Sequence, residues 1–288
     1  MTKVLNTNTA QQSLKRRVED LTVINAIEKV FKEKRGYIIK KPKPNEPVLA
    51  CMSGGLDSIC NITVLLEELK VQVYPFFLDR EQTNYKYEKA SVMFFNKYFK
   101  KRYPDLYHDV LEIKLVSPAW AYKDMLRDTH KMKDNLIYRH DVAYPARNSI
   151  IFLTGMDYGY ALQSRGIFPK TVFGATLSSD FLYHSSLTSI RITNLLMCNV
   201  TGDWDWQYIS IPIEKEFANG YDKDVYVKFN TEKNIPLEKT RSCPKKSKIQ
   251  CGTCLPCWDR RMAFKKIGIK DKTPYLKSLK EEIPKEYL

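Results

Sequence analysis

The chain has 288 residues, 43% of them hydrophobic and 12% aromatic, and 47 Lys and Arg set against 33 Asp and Glu give a formal charge of +14. That length and apolar fraction can bury a sizeable core, which excludes wholesale disorder and a small disulfide-stapled scaffold. No window approaches the roughly 18 consecutive apolar residues of a membrane span, and the polar opening Met1 to Asp20 lacks a signal peptide's apolar core, so a soluble, cytoplasmic protein is expected.

Leu14, Val18, Leu21, Ile24, Ile27 and Phe31 recur at helical spacing, predicting an amphipathic helix over 11–34 that packs on the core. Three prolines within Lys40-Lys-Pro-Lys-Pro-Asn-Glu-Pro47 then make a connector, so residues 1–46 read as an N-terminal helical extension and linker. The main domain is expected over 47–240. It opens with a strand over 48–52, a helix over 57–70, a strand over 71–78, a helix over 87–99 and a strand over 110–115. This βαβαβ alternation predicts an α/β fold with a parallel sheet. Residues 117–144 are aromatic and charged without a clear period and read as an insertion that could cover a site. A helix after Pro145, strands over 171–175 and 208–213, and a helix over 222–234 complete the domain.

The charge excess suits a polyanionic partner. Much of it lies in the runs Lys32-Glu-Lys-Arg35, Lys40-Lys-Pro-Lys43 and Lys245-Lys-Ser-Lys248, which usually mark solvated faces. No RNA- or DNA-binding motif accompanies them, so nucleic acid is not expected as the direct substrate.

Ser53-Gly54-Gly55-Leu56-Asp57-Ser58 falls between the first strand and the first helix, where open α/β sheets bind ligands. Adjacent glycines let the backbone approach a phosphate chain, and the amides at the helix start plus two hydroxyls can surround its oxygens. Asp57 is then free to hold Mg²⁺. Farther on, Cys243, Cys251, Cys254 and Cys257 offer four thiolates in two overlapping C-x₂-C units, suited to a closed structural zinc site in a C-terminal segment over 241–288. An iron–sulfur cluster is the alternative.

The hexapeptide resembles the pyrophosphate (PP) loop of the N-type ATP pyrophosphatases, with the adenine nucleotide α-hydrolase-like fold that this implies. It differs from a Walker loop in lacking a Lys after the second glycine. Together with the C-terminal cysteines it is similar to the QueC family of 7-cyano-7-deazaguanine synthases over about 48–268. Tyr144-Pro-Ala-Arg147-Asn148 resembles that family's Pro-Gly-Arg-Asn, with Ala146 in place of Gly; Asp222-Lys223 and Thr240-Arg-Ser-Cys243 match further landmarks. The resemblance implies ATP, Mg²⁺ and Zn²⁺ as cofactors, with Arg147 and Lys223 beside Asp57 as the catalytic set. It also implies Asp79 on the nucleotide and Asn148, Asp180 and Tyr183 near the base. Ser179-Asp180-Phe-Leu-Tyr183-His184-Ser185-Ser186 retains two residues of the family's base-side segment but lacks its Pro-Asp-Cys-Arg, which puts the substrate in question.

The implied reaction adenylates the carboxylate of 7-carboxy-7-deazaguanine, releases pyrophosphate and passes the acyl group to an amine. Ammonia would lead to 7-cyano-7-deazaguanine. QueC-like proteins of anti-phage defence systems, CBASS among them, suggest a protein amine instead. A tRNA-thiolating enzyme and a zinc-bearing nucleic-acid module are the other classes weighed, and a homodimer is compatible with all of them.

Overall fold

The computed structural model describes residues 19–115, 146–180, 183–217 and 221–279. Leu14, Val18 and the insertion over 117–144 lie outside the described residues. Five strands, β1 (Pro47–Cys51), β2 (Gln72–Asp79), β3 (Leu111–Lys114), β4 (Thr171–Gly174) and β5 (Gln207–Ser210), form one sheet in the order β3-β2-β1-β4-β5, every pair parallel. β1 is the central strand, and its Val48, Leu49 and Ala50 are fully buried, as expected where helices cover both faces of a parallel sheet.

Helices α1 (Leu21–Arg35), α2 (Leu56–Glu67), α3 (Tyr85–Arg102), α4 (Arg147–Gln163), α5 (Leu187–Thr201), α6 (Lys223–Glu232) and α7 (Leu255–Lys266) pack around this sheet. α2 is buried nearly all round, from Leu56 and then Ser58 through Leu66, because it is apolar on every face. α4 lies on the sheet through glycines: a Cβ at Gly159 would stand 2.5 Å from the Trp206 ring, and one at Gly155 2.9 Å from both Phe76 and Val172. α1 packs on the core as expected, with Ile27 and Phe31 inside it. Its last residue, Arg35, donates to the carbonyls of Trp204 at 3.1 Å and Trp206 at 2.8 Å.

The strand expected over 208–213 ends at Ser210 instead. Pro212 has no N–H to donate, and Ile211–Ile213 turn into a 3₁₀ helix. Two helices, α5 and α7, have no counterpart among the elements expected from sequence.

Candidate active site

After β1 the chain turns through Ser53, Gly54 and Gly55 into α2, at the carboxyl end of the strand. β2 and β3 lie to one side of β1, β4 and β5 to the other, so the loop occupies the point where strand order reverses. Gly54 has φ +73, and a Cβ there would come within 2.8 Å of the Glu88 carbonyl. Its own carbonyl accepts from Ser91 Oγ and from the Arg241 N–H, each at 2.8 Å, which pins the loop from two sides. Gly55 caps α2 without a side-chain hydrogen bond, so the first-turn amides of the helix are left for an anion. The Ser53 and Ser58 hydroxyls stand 3.1 Å apart across the turn.

Asp57, in the first turn of α2, faces Lys223 Nζ at 3.3 Å. Its Oδ1 is buried with no hydrogen-bond partner among the described residues. Lys223 opens α6 and also pairs with Asp259 of α7, while Asp180 lies within electrostatic reach of both Asp57 and Lys223. Burial pushes the Asp57 carboxyl up to about 6 despite the pull of Lys223. Burial alone would lower Lys223, but Asp57 and Asp259 together carry it above its ordinary value. Lys223 is thus shared between the Asp57 and Asp259 carboxylates.

Arg147 and Asn148 begin α4, directly after Ala146, which adopts φ 59 in the left-handed region that favours glycine. Asn148 Nδ2 donates to the His184 carbonyl at 3.0 Å and to Ser185 Oγ at 3.2 Å, tying α4 to the turn that carries Tyr183. The Tyr183 side chain is exposed, while its carbonyl accepts from the hydroxyls of Ser186 and Ser189. Asp180 Oδ2 accepts from the Leu177 N–H at 3.0 Å and shapes the loop after β4. Asp79 ends β2, where its Oδ1 accepts from the Glu81 N–H at 2.9 Å. The structure therefore gathers Asp57, Lys223 and Asp180 into one cluster and Arg147, Asn148 and Tyr183 into another. Asp79 stands at the neighbouring strand end.

Several residues here escaped the sequence reading. Arg80, Gln82 and Glu88 line a pocket with Cys51 and Ser53 beside the glycine turn. A polar run following the end of β2 was the available signal for them. Asp259 had none, because its partner Lys223 is distant in sequence, and Arg241, though inside the Thr240–Cys243 landmark, had no sign of its tie to Gly54.

The four cysteines converge as expected. Their sulfurs all lie within 4.8 Å of one another, with Cys251 to Cys257 at 4.0 Å and Cys243 to Cys254 at 3.9 Å. A tetrahedral zinc with Zn–S of about 2.3 Å spaces its sulfurs by about 3.8 Å. The donor set fits that ion, and all four thiols are buried. N–H groups of Cys251 and Cys254 point at Cys243 and Cys251 sulfur at 3.5 and 3.3 Å, which favours thiolates. The segment is bolted to the glycine loop: Arg241 gives its N–H to Gly54 and its Nε–H to the Cys243 carbonyl at 3.0 Å, and Asn84 donates to Glu88 at 2.9 Å and to the same Cys243 carbonyl at 3.2 Å.

A wholly parallel sheet with a glycine turn at its switch point, clamped by a four-cysteine segment, defines an α/β protein of the PP-loop type. Its sequence matches the family described as "Queuosine biosynthesis protein QueC" over residues 47–268, and the chain belongs to that family. It is 28% identical over 235 residues to the 7-cyano-7-deazaguanine synthase of Saccharolobus solfataricus, covering 79% of this chain and 47% of that one. Against the 7-cyano-7-deazaguanine synthase of Caldicellulosiruptor bescii it is 22% identical over 232 residues, covering 78% and 95%. The chain thus spans about half the length of the Saccharolobus solfataricus relative and nearly all of the Caldicellulosiruptor bescii one. Among solved structures, the U34-tRNA thiolase of Methanococcus maripaludis with its [4Fe-4S] cluster shares 12% identity at a TM-score of 0.30, over 88% of this chain and 91% of that one.

Proposed function

We propose that the chain is an ATP-dependent ligase that adenylates the carboxylate of 7-carboxy-7-deazaguanine and transfers the acyl group to an amine. The observation that carries this reading is the turn at Gly54 and Gly55, held at the end of β1 with the start of α2 uncapped and Asp57 and Lys223 beside it. Such a turn receives phosphate oxygens. The carboxylate oxygen attacks the α-phosphorus, the bond to the bridging oxygen breaks, and pyrophosphate leaves. Lys223 and Arg147 stabilise the charge that builds on the phosphoryl groups. The orphaned Oδ1 of Asp57 fits a cation: Asp57 would hold Mg²⁺, which supplies further neutralisation of the departing pyrophosphate. The Arg80 pocket would serve the nucleoside end, with Asp79 at the strand end before it. Asn148, Tyr183 and Asp180 are assigned to the base from the family resemblance, Asp180 from the side of the Asp57–Lys223 cluster.

Ammonia displaces AMP from the adenylate and gives the amide; a second ATP adenylates the amide oxygen with release of pyrophosphate, and loss of a proton and of AMP carrying that oxygen gives the nitrile. A protein amine is the second reading, favoured by the lysine-rich segment joined to the site through Asp259 and Arg241. A thiolating role finds less support, because burial pushes the thiols of Cys51 and Cys198 up to about 11 and leaves them poor nucleophiles.

Incubation with ATP, Mg²⁺, 7-carboxy-7-deazaguanine and either ammonium or a candidate protein, followed by intact mass spectrometry, tests the reading. Pyrophosphate and an acylated or nitrile product are expected. ATP left intact under every condition overturns it.

A further inference from the structure

Lys223 is the first residue of α6, and its ammonium stands between carboxylates from two other elements. Asp57 Oδ2, at the glycine loop, lies 3.3 Å away, and Asp259 Oδ2, on α7, accepts a hydrogen bond from the same nitrogen. The Lys223 side chain is 14% exposed and that of Asp259 38%, so the ammonium is enclosed while its second partner sits at the rim. Asp57 keeps its other oxygen, Oδ1, buried with no hydrogen-bond partner among the described residues. Asp180, within electrostatic reach of both Asp57 and Lys223, has its Oδ2 on the Leu177 N–H at 3.0 Å. The cysteine segment places Asp259, since Cys254 caps α7 and Cys257 precedes Asp259 by two residues in that helix.

We propose that Asp259 is a positioning residue for Lys223, holding the ammonium beside the Ser53–Ser58 loop so that Asp57 is free to bind a divalent cation. An ammonium and a divalent cation compete for one carboxylate and repel each other. If Asp57 were its single ion-pair partner, Lys223 would be set against the cation, and once displaced its flexible four-carbon stem would carry the charge out of the cleft. A second carboxylate on another helix lets Lys223 yield Asp57 and stay in place. An amide at position 259 would still accept a hydrogen bond, but without the charge that offsets the pull of Asp57. The inference rests on the reading above, in which this loop receives ATP and Asp57 its Mg²⁺.

The experiment is a double-mutant cycle on Mn²⁺ binding, followed by electron paramagnetic resonance with the α,β-methylene analogue of ATP kept below the protein concentration. Pyrophosphate release, bound zinc and a thermal melt are recorded for every variant. Asp57→Asn should weaken Mn²⁺ binding by about 10-fold or more, which marks the site. Asp259→Asn should weaken it about 5- to 20-fold and lower kcat/KM for ATP by about 10-fold, with zinc content and melting near wild type. Asp259→Glu, which keeps the charge, should stay within about 3-fold of wild type. In a Lys223→Met background, Asp259→Asn should change Mn²⁺ affinity by less than about 2-fold, because the ammonium it holds is gone. A loss that persists in that background is the plain field of a missing charge and overturns the inference. So does Mn²⁺ affinity unchanged in Asp259→Asn, a Glu variant as weak as the Asn variant, or Mn²⁺ binding that Asp57→Asn does not weaken. Asp259→Ser supplies the same loss of charge should the Asn variant shed zinc or melt early. Wild-type protein that binds Mn²⁺ with the analogue but releases no pyrophosphate sinks the ligase reading, while the binding cycle still decides the role of Asp259.

Discussion

At the scale of single residues, Asp57 shows how a candidate site position costs stability. Its carboxyl titrates near 6 in the fold, well above the about 3.9 of an unfolded chain. Between those values the native state binds the extra proton, so stability falls as pH rises through that window and the cost is complete above about 6. Asp57→Asn removes the buried charge and leaves Lys223 its Asp259 partner. We expect this variant to gain about 1–2 kcal/mol at pH 7.5, since the Asp57 side chain is 32% exposed and its outer oxygen keeps part of the charge in water, and nothing at pH 4. Pyrophosphate release should fall by about 100-fold or more. Melts at the two pH values and a pyrophosphate assay check both halves; equal activity would remove Asp57 from the chemistry. Ala146 is the reverse case, a backbone strained in the left-handed region. With φ 59 it sits where the family pattern has glycine. Ala146→Gly should relieve about 0.5–1 kcal/mol and raise the melting temperature by about 1–3 °C, and a lowered melting temperature would mean the αL cost is offset elsewhere.

At the scale of elements, the four-cysteine segment is a brace for the glycine turn as well as a set of thiols that fits a zinc ion. Cys254 is the N-cap of α7, Cys257 lies in its first turn, and Asp259 two residues later holds Lys223. Arg241 secures Gly54 from the other end of the segment. Removing the metal should therefore loosen a loop that contains none of its ligands. Chelation, or Cys257→Ser, should speed hydrogen exchange of the peptide covering Met52 to Ile59, with exchange of β1 unaltered. Faster exchange confined to the cysteine segment would show that the two are uncoupled. These ties explain what the sequence could convey. β1, β2 and β4 were legible because strands buried on both faces are short apolar runs between turn signals, and the Ser53–Ser58 and cysteine spacings are local. α5 was not, because its Ile192, Leu196 and Val200 are exposed while its Arg191 is buried, which blurs the helical stripe. α7 begins inside the cysteine segment with Pro256 as its second residue, where composition argues for a loop. Asp259 and Arg241 gain their meaning only from contacts across the fold.

At the scale of the whole molecule, the +14 charge is unevenly spread. Between Arg241 and Leu279 there are eleven Lys and Arg against two Asp. Arg241 and Arg260 are buried and committed inside, but Lys245, Lys246, Lys248, Lys265, Lys266, Lys270, Lys272 and Lys277 are exposed. The same segment is joined to the site by the Arg241 N–H on the Gly54 carbonyl and by the Asp259–Lys223 pair. The field of the exposed lysines speeds the approach of an acidic macromolecule and does little for ammonia. Screening separates the two acceptors, because the Debye length shrinks from about 10 Å at 0.1 M salt to about 3 Å at 1 M. Acyl transfer to the amine of an acidic protein should slow by about 10-fold or more across that range, measured relative to transfer to ammonia at each salt concentration. The ratio cancels any effect of salt on ATP binding, which both reactions share. A mass increase on the protein that fades with salt would establish a macromolecular acceptor docked on the lysine face. If the free nitrile is the only product, formed at one rate with or without protein, the lysines serve solubility alone and ammonia is the acceptor.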